Sequence, residues 1–222
     1  MRCIPGRERQ QEVMFMARLN TDPKVGRMVR MAVLTAIIVL LAFTPLGYLV
    51  IGPIAATTIQ MPVIIGAVLL GPAAGAFLGG VFGLSAIVKV LTMPGADVFA
   101  TAILTYSPLG YLFICFVPRI LMGWLSGLLA RLLSRILGEK MSVITYGVTG
   151  LVGSMLNTVF YLGSLWALAA EVVAESYGVD ISGVGAIVMA TATGAGIPEA
   201  IVSCIVVAAI CRALQAMDRR QG

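Results

Sequence analysis

Long runs of apolar residues, almost free of charged side chains, recur along this chain of 222 residues. Apolar residues make up 59% of the sequence and charged residues 11%, and the mean hydropathy is +1.01. Such runs are typical of transmembrane helices. The strands of a membrane β-barrel would instead alternate polar and apolar residues. The sequence therefore predicts an all-α, polytopic integral membrane protein.

Six of these runs are interpreted as membrane spans. They lie at about residues 28–43, 57–70, 73–90, 108–133, 142–170 and 187–214. Clusters of Lys and Arg at 24–30, 131–140 and 212–220 all fall on one side of this layout, so the positive-inside rule places the N and C termini in the cytoplasm and the protein in the cell membrane. We expect a basic cytoplasmic leader at 1–27, a six-helix membrane domain at 28–216 and a cytoplasmic tail at 217–222.

Several classes of function are disfavoured by what the sequence lacks. The chain has four cysteines and no histidine, so neither a zinc site nor a thiol–imidazole nucleophile is expected. It also has no GxxxxGK[ST] phosphate loop. Its net charge of +5 comes mostly from residues beside the spans and does not indicate a nucleic-acid partner. We expect no enzyme activity, no metal and no cofactor.

The stretch 57–89 is a broken pair of apolar segments, interrupted at Gly71 and Pro72. As a helix, residues 61–70 would cover only about 15 Å, half of a hydrocarbon core about 30 Å thick. This segment must therefore extend over 54–60 or lie partly inside the protein. The next segment has glycines at 71, 75, 79 and 83 on one helix face, and this spacing predicts close helix packing.

Polar residues around this stretch are candidates for a ligand site. Thr57, Thr58 and Gln60 precede the broken helix, and irregular membrane segments usually line cavities. Residues 91–107 are expected to form an outer loop or lid. Lys89 is expected to snorkel to the outer interface, and Tyr111 is interpreted as an interfacial anchor.

Arg119 is the most informative charge, because it lies about eleven residues inside the fourth span. An unpaired guanidinium at that depth costs at least a few kcal/mol, so it must have a partner. One interpretation is structural, with Arg119 paired with Glu199 or with backbone carbonyls. The other is functional, with Arg119 binding the carboxylate or phosphate of a ligand.

Two further pairs leave similar alternatives open. Asn157 lies in the fifth span with Tyr161 one turn later, and its amide either joins two helices or shares a ligand cavity with Tyr161. Ala32 and Ala36 lie one turn apart in the first span. From spacing alone, packing inside the protein is favoured for them over a site for a partner helix.

Five segments in order resemble the S components, or substrate-binding subunits, of energy-coupling-factor (ECF) vitamin transporters, and are most similar to the pantothenate-specific group. They are VRMAVLTAIIVLL, PIAATTIQMPVIIGAVLLGPAAGAFLGGVFGL, ICFVPRILMG, LNTVFYLG and GIPEAIVSCIVVAAI. The resemblance covers residues 28–216.

The resemblance implies six helices and a small binding pocket near the outer face, closed by loops. It implies that the ligand is a vitamin, and the similarity to the pantothenate-specific group implies pantothenate. It also implies that Arg119 and Asn157 face this ligand. The implied partners are a transmembrane coupling subunit and two ATPase subunits, with Ala32 and Ala36 docking on the coupling subunit. That docking role replaces internal packing as the expectation for the two alanines.

Two alternatives are kept. Within the same family the cargo could be riboflavin or folate, which an aromatic content of 7% mildly disfavours. Outside it, the chain could be a solitary ion-coupled transporter, for which Glu199 is the lone embedded carboxylate available for coupling.

Overall fold

A computed structural model describes residues 23–51, 54–138 and 141–221. These residues form a helical bundle with one short hairpin. The elements are α1 (Pro23–Ala42), β1 (Tyr48–Ile51), β2 (Ile54–Thr57), α2 (Gln60–Leu70), α3 (Pro72–Thr92), α4 (Val98–Tyr106), α5 (Pro108–Leu137), α6 (Ser142–Tyr177), α7 (Val184–Thr191) and α8 (Ile197–Gln221). A π-helical turn at Ala192–Gly196 joins α7 to α8.

Among the residues that the structure describes, five helical segments are long and apolar enough to cross a membrane: Lys24–Ala42, Pro72–Thr92, Pro108–Leu137, Ser142–Tyr177 and Ile181–Met217, the last of which includes α7, the π-helical turn and most of α8. The shorter apolar helix Gln60–Leu70 adds a sixth segment. The all-α, polytopic membrane class is therefore confirmed. The count of six spans and the cytoplasmic location of both termini stay predictions, as does the leader at 1–27, most of which lies outside the described residues.

Helix α2 is apolar but shorter than the five candidate spans, and the structure shows how its length is accommodated. It has 11 residues, and all eight from Gln60 to Ala67 are buried. The helix starts at Gln60, after β2 ends at Thr57, so the expected span start at 57 is wrong by one turn. Because β2 pairs antiparallel with β1, residues 54–57 do not lengthen the helix. Burial in the protein solves the mismatch instead.

The predicted glycine packing is confirmed at the interface of α3 with α5. A methyl group at Gly75, Gly79 or Gly83 would collide with the backbone carbonyl of Gly123, Arg119 or Cys115, respectively. The two backbones are thus in direct contact over two turns. Gly71 has φ of 95°, which lets the chain reverse between α2 and α3.

Residues 91–107 were expected to be a loop or lid, and most of them are helical. Asp97 caps α4, its side chain accepting a hydrogen bond from Ala100 N at 2.9 Å. Ser107 similarly accepts from Gly110 N at 3.2 Å and caps α5. Because Asp and Ser are preferred N-cap residues, the two polar residues start helices here. Helix α4 lies across one end of α5 and α6.

Helix α1 lies at the periphery. Only 11% of its apolar stretch is buried inside the protein, compared with 50% of the apolar stretch of α3. Ala32 and Ala36 are both exposed, so the interpretation that they pack inside the protein is wrong for this chain on its own. Their stripe is available to lipid or to another protein.

Candidate functional site

A cavity of about 200 Å³ lies between α3, α5 and α6, where α4 and the end of β2 close its sides. Seven polar or aromatic polar residues line it: Thr57, Lys89, Asp97, Tyr111, Arg119, Asn157 and Tyr161. The rest of its wall is mainly apolar. With seven polar residues among the fourteen that line it, the cavity is a concave site with convergent polar groups, as small-molecule sites usually have.

Arg119 is held in place by two rings and two carbonyls. Its Cζ atom lies 4.7 Å from the centroid of the Phe82 ring and 5.1 Å from that of Tyr161. Its Nη1 donates hydrogen bonds to Ile114 O at 2.7 Å and Cys115 O at 3.0 Å. Stacking and hydrogen bonding together fix the plane of the guanidinium and reduce the entropy lost when it binds an anion.

The Nε atom of this guanidinium differs from Nη1 in its partners. Nε is buried and has no hydrogen-bond partner among the described residues. Arg119 as a whole is 9% exposed. A buried donor without a partner is costly. The Nε–Nη2 edge is the one that a carboxylate or phosphate can bind through two parallel hydrogen bonds.

Arg119 does not form the ion pair that the sequence offered as an alternative. Glu199 accepts hydrogen bonds from Thr57 N at 2.7 Å and from Gln60 Nε2 at 3.2 Å. Arg119 is instead satisfied partly by backbone carbonyls, which was the other structural alternative. Each buried charge therefore has its own set of partners.

The structure brings together four of the six predicted ligand residues. Arg119, Asn157, Tyr161 and Thr57 all line the cavity, although they come from three separate segments of the chain. Asn157 is 9% exposed. Its amide makes no hydrogen bond to another described residue, so the interpretation as a helix-to-helix bond does not hold. An amide offers both a donor and an acceptor to a ligand.

Thr58 and Gln60 are not part of this cavity wall. Thr58 Oγ1 donates to Leu46 O at 2.6 Å, and the residue borders a groove between α1, α2 and α8. Gln60 is fully buried, and its Nε2 donates to Ser154 Oγ at 2.8 Å. Their contact with a ligand stays a prediction that this geometry does not favour.

Sequence reasoning assigned different roles to two other lining residues. Lys89, expected at the interface, lines the cavity. Tyr111, interpreted as an anchor, is 4% exposed, and its hydroxyl donates to Ala86 O at 3.5 Å. Phe82 was missed, although it stands three residues after Gly79 and so faces α5 with the glycines. That spacing was the available signal.

No group of three or more His, Cys, Asp or Glu side chains able to hold a metal ion occurs within 23–51, 54–138 and 141–221. Asp97 is the cavity's only lining carboxylate among those residues, and its side chain also caps α4. With two cationic side chains and one carboxylate on its wall, the cavity is complementary to a small anion that also has neutral polar groups.

Comparison with known proteins agrees with this geometry. Residues 26–211 match the family model "ECF transporter, substrate-specific component". The "Pantothenic acid transporter PanT" of Lactococcus lactis subsp. cremoris is 37% identical over 121 residues, which cover 51% of this chain and 58% of that protein. The "Pantothenate transporter PanT" of Leuconostoc mesenteroides subsp. mesenteroides is 32% identical over 119 residues, or 54% of each chain.

The two matches with curated relatives span a little more than half of each relative's length, whereas the family model covers most of this chain. Together with the apolar helices they identify a multi-pass protein of the plasma membrane, in a family of transport subunits rather than enzymes. The chain belongs to the family of substrate-specific components of ECF transporters.

Proposed function

We propose that this chain is the substrate-binding membrane subunit of an ECF-type transporter that imports a small water-soluble vitamin, and that the vitamin is pantothenate. The observation that carries the proposal is the Arg119 guanidinium. It is stacked between Phe82 and Tyr161, and its unpaired Nε belongs to a cavity-lining residue deep in the bundle. A permanent charge held in this way favours an anionic ligand.

The rest of the cavity suits the remainder of the pantothenate molecule. Besides its carboxylate the vitamin has an amide and hydroxyl groups, which Asn157 and Thr57 can match as donors and acceptors. Two relatives named as pantothenate transporters support this assignment. A cavity of about 200 Å³ is smaller than the roughly 300–1,000 Å³ of sites for drug-sized ligands. Its size therefore favours pantothenate over riboflavin or folate.

Under this proposal, partner subunits supply the energy for transport. A transmembrane coupling subunit would bind it, and two ATPase subunits would hydrolyse ATP. The exposed Ala32 and Ala36 are suited to the first contact, because small residues one turn apart let two helices approach closely in a membrane. Glu199 is engaged by protein donors, which makes it a poor site for a coupling ion and disfavours the solitary transporter.

The ligand assignment is tested by calorimetry on the purified chain, titrated in parallel with pantothenate, riboflavin and folate. We expect binding heat with pantothenate only. Heat with riboflavin or folate alone would keep the transport role and change the cargo. If none of the three vitamins binds, the proposal of a vitamin-binding subunit is wrong.

The partner contact is tested by replacing both alanines with tryptophan. Ala32→Trp with Ala36→Trp should leave pantothenate affinity within about twofold, because α1 contributes no cavity-lining residue, and should abolish ATP-dependent uptake in cells. Ile37→Trp, at an exposed position that lies about 100° or more around α1 from both alanines, is the matched control and should retain uptake. Normal uptake by the double alanine variant would contradict the docking role.

A further inference from the structure

A buried carboxylate that the proposed binding chemistry does not use lies just beyond the cavity. Glu199 is 8% exposed and stands three residues after the π-helical turn Ala192–Gly196. A carboxylate in a membrane span is expensive, and such residues commonly have a function. π-Helical turns also occur frequently at functional sites. Glu199 does not itself line the cavity.

The two oxygens of Glu199 connect two separate parts of the molecule. Oε1 accepts from Thr57 N at 2.7 Å, and Thr57 is both the last residue of β2 and part of the cavity wall. Oε2 accepts from Gln60 Nε2 at 3.2 Å. The carboxylate on α8 thus holds the point where the hairpin ends and α2 begins.

The same hydrogen bonds reach the helix that carries Asn157. Gln60 Nε2 also donates to Ser154 Oγ at 2.8 Å, and Ser154 lies three residues before Asn157 on α6. Gln60 and Ser154 are fully buried, so water does not compete for these bonds. The network therefore fixes β2, α2 and α6 relative to one another, next to the cavity-lining residues Thr57 and Asn157.

We infer that Glu199 is a positioning residue for the binding site, which holds the hairpin in its place against the cavity through the backbone N–H of Thr57. The bond to a charged acceptor is shorter than most N–H to O bonds and belongs to the stronger class. No side chain of the hairpin needs to be specific for this contact, because the donor is backbone. The inference rests on the proposed function only where a ligand is used as a readout.

Amide hydrogen exchange on the full chain in detergent, without ligand, tests the structural part. In Glu199→Leu, which has no acceptor, the amide of Thr57 and its neighbours in 54–58 should exchange about ten- to a hundredfold faster, as expected for loss of a bond to a charged group. Exchange in α3 and α5 should stay at the wild-type rate. Unchanged exchange at 54–58, or an equal acceleration throughout the bundle, would overturn the inference.

Two variants calibrate this result. Glu199→Gln keeps an oxygen for Thr57 N, and its amide can donate to Gln60 Oε1, which is buried without a partner, once the Gln60 amide rotates. We expect rescue to within about threefold of the wild-type rate. Ser203→Ala is the matched control, because Ser203 lies one turn further along α8, is fully buried, and its Oγ has no hydrogen-bond partner in the part of the chain that the structure describes. It should exchange as the wild type does.

The ligand readout separates this inference from the proposed function. If pantothenate binds, its dissociation rate should rise in Glu199→Leu by about the factor seen in exchange and recover in Glu199→Gln. If pantothenate does not bind the wild type but exchange at 54–58 responds as expected, the proposed cargo is wrong and the positioning role stands. If Glu199→Leu does not fold, Glu199→Asp replaces it. Its shorter carboxylate should give an intermediate acceleration, and wild-type exchange in that variant would overturn the inference.

Discussion

The hairpin and α4 both close the cavity, but they are attached to the bundle in different ways. The hairpin contributes Thr57 to the cavity wall and is tied to α8 by the buried carboxylate of Glu199. Helix α4 contributes Ala100 and Ile103. Its polar tie is the hydroxyl of Tyr106, which donates to Glu171 Oε2 on α6 at 2.6 Å.

The two polar ties have similar lengths, at 2.7 and 2.6 Å, and very different surroundings. Glu199 is buried, whereas Tyr106 and Glu171 are exposed. Water competes with the exposed bond and not with the buried one. Helix α4 must therefore be held by apolar contacts, and Ile103, at 2% exposed, belongs to the same core cluster as Tyr111 and Leu165. The donor–acceptor distance therefore does not show which hydrogen bond holds its element more strongly, whereas burial of the two partners does.

The largest expected effect tests whether the hairpin and α4 close over one anion. Arg119→Ala removes the cation that is stacked on the Phe82 and Tyr161 rings of the cavity wall, and we expect pantothenate affinity to fall by more than about a hundredfold, since a charged, largely desolvated hydrogen-bond pair is lost. Calorimetry measures it. Arg135→Ala, at an exposed position of the same helix, should bind as the wild type does. Unchanged affinity in Arg119→Ala would return Arg119 to a structural role.

The next effect tests the apolar attachment of α4. Ile103→Ala leaves space in a closely packed cluster, and buried Ile-to-Ala changes cost about 2–5 kcal/mol. Because Ile103 joins α4 to the bundle and also lines the cavity, we expect pantothenate to dissociate at least about tenfold faster, as measured by stopped-flow release. Val98→Ala, on the same helix at 74% exposure, should change the rate little. Equal rates for both variants would mean that α4 is not held by this packing.

The sequence predicted features that depend on neighbouring residues better than it predicted contacts between distant parts of the chain. Run length indicated the membrane helices, and the glycine spacing predicted that one face of α3 packs closely on another helix, because both depend only on neighbours along one helix. That the partner is α5 was not predicted. Arg119 was recognisable because a charge within an apolar run needs a partner wherever the run is placed.

The hairpin side was predicted less well, for a physical reason. Thr57, Thr58 and Gln60 lie within four residues of one another, but the backbone changes from strand to helix between them. Thr57 therefore lines the cavity, Thr58 contacts Leu46, and Gln60 lies in the core. Likewise the partner of Glu199 is a backbone N–H that lies 142 positions away. No periodicity within a single element encodes such a contact.

The smallest effect tests the exposed tie of α4. Tyr106→Phe removes only the hydroxyl, and we expect pantothenate affinity to change by less than about twofold near neutral pH. The hydrogen bond to Glu171 raises the pKa of Tyr106 above its usual 10. A pKa that is higher in the folded state means that the contribution of this bond is complete below pH 10 and is lost as the pH rises through the raised value. A titration of pantothenate affinity upward from pH 8 should therefore bring the wild type down to the level of Tyr106→Phe or below it as the pH passes this raised pKa, because the Tyr106 phenolate and the Glu171 carboxylate then repel each other. A large loss in Tyr106→Phe already at pH 7 would contradict the comparison, since the exposed bond would then be as important as the buried one.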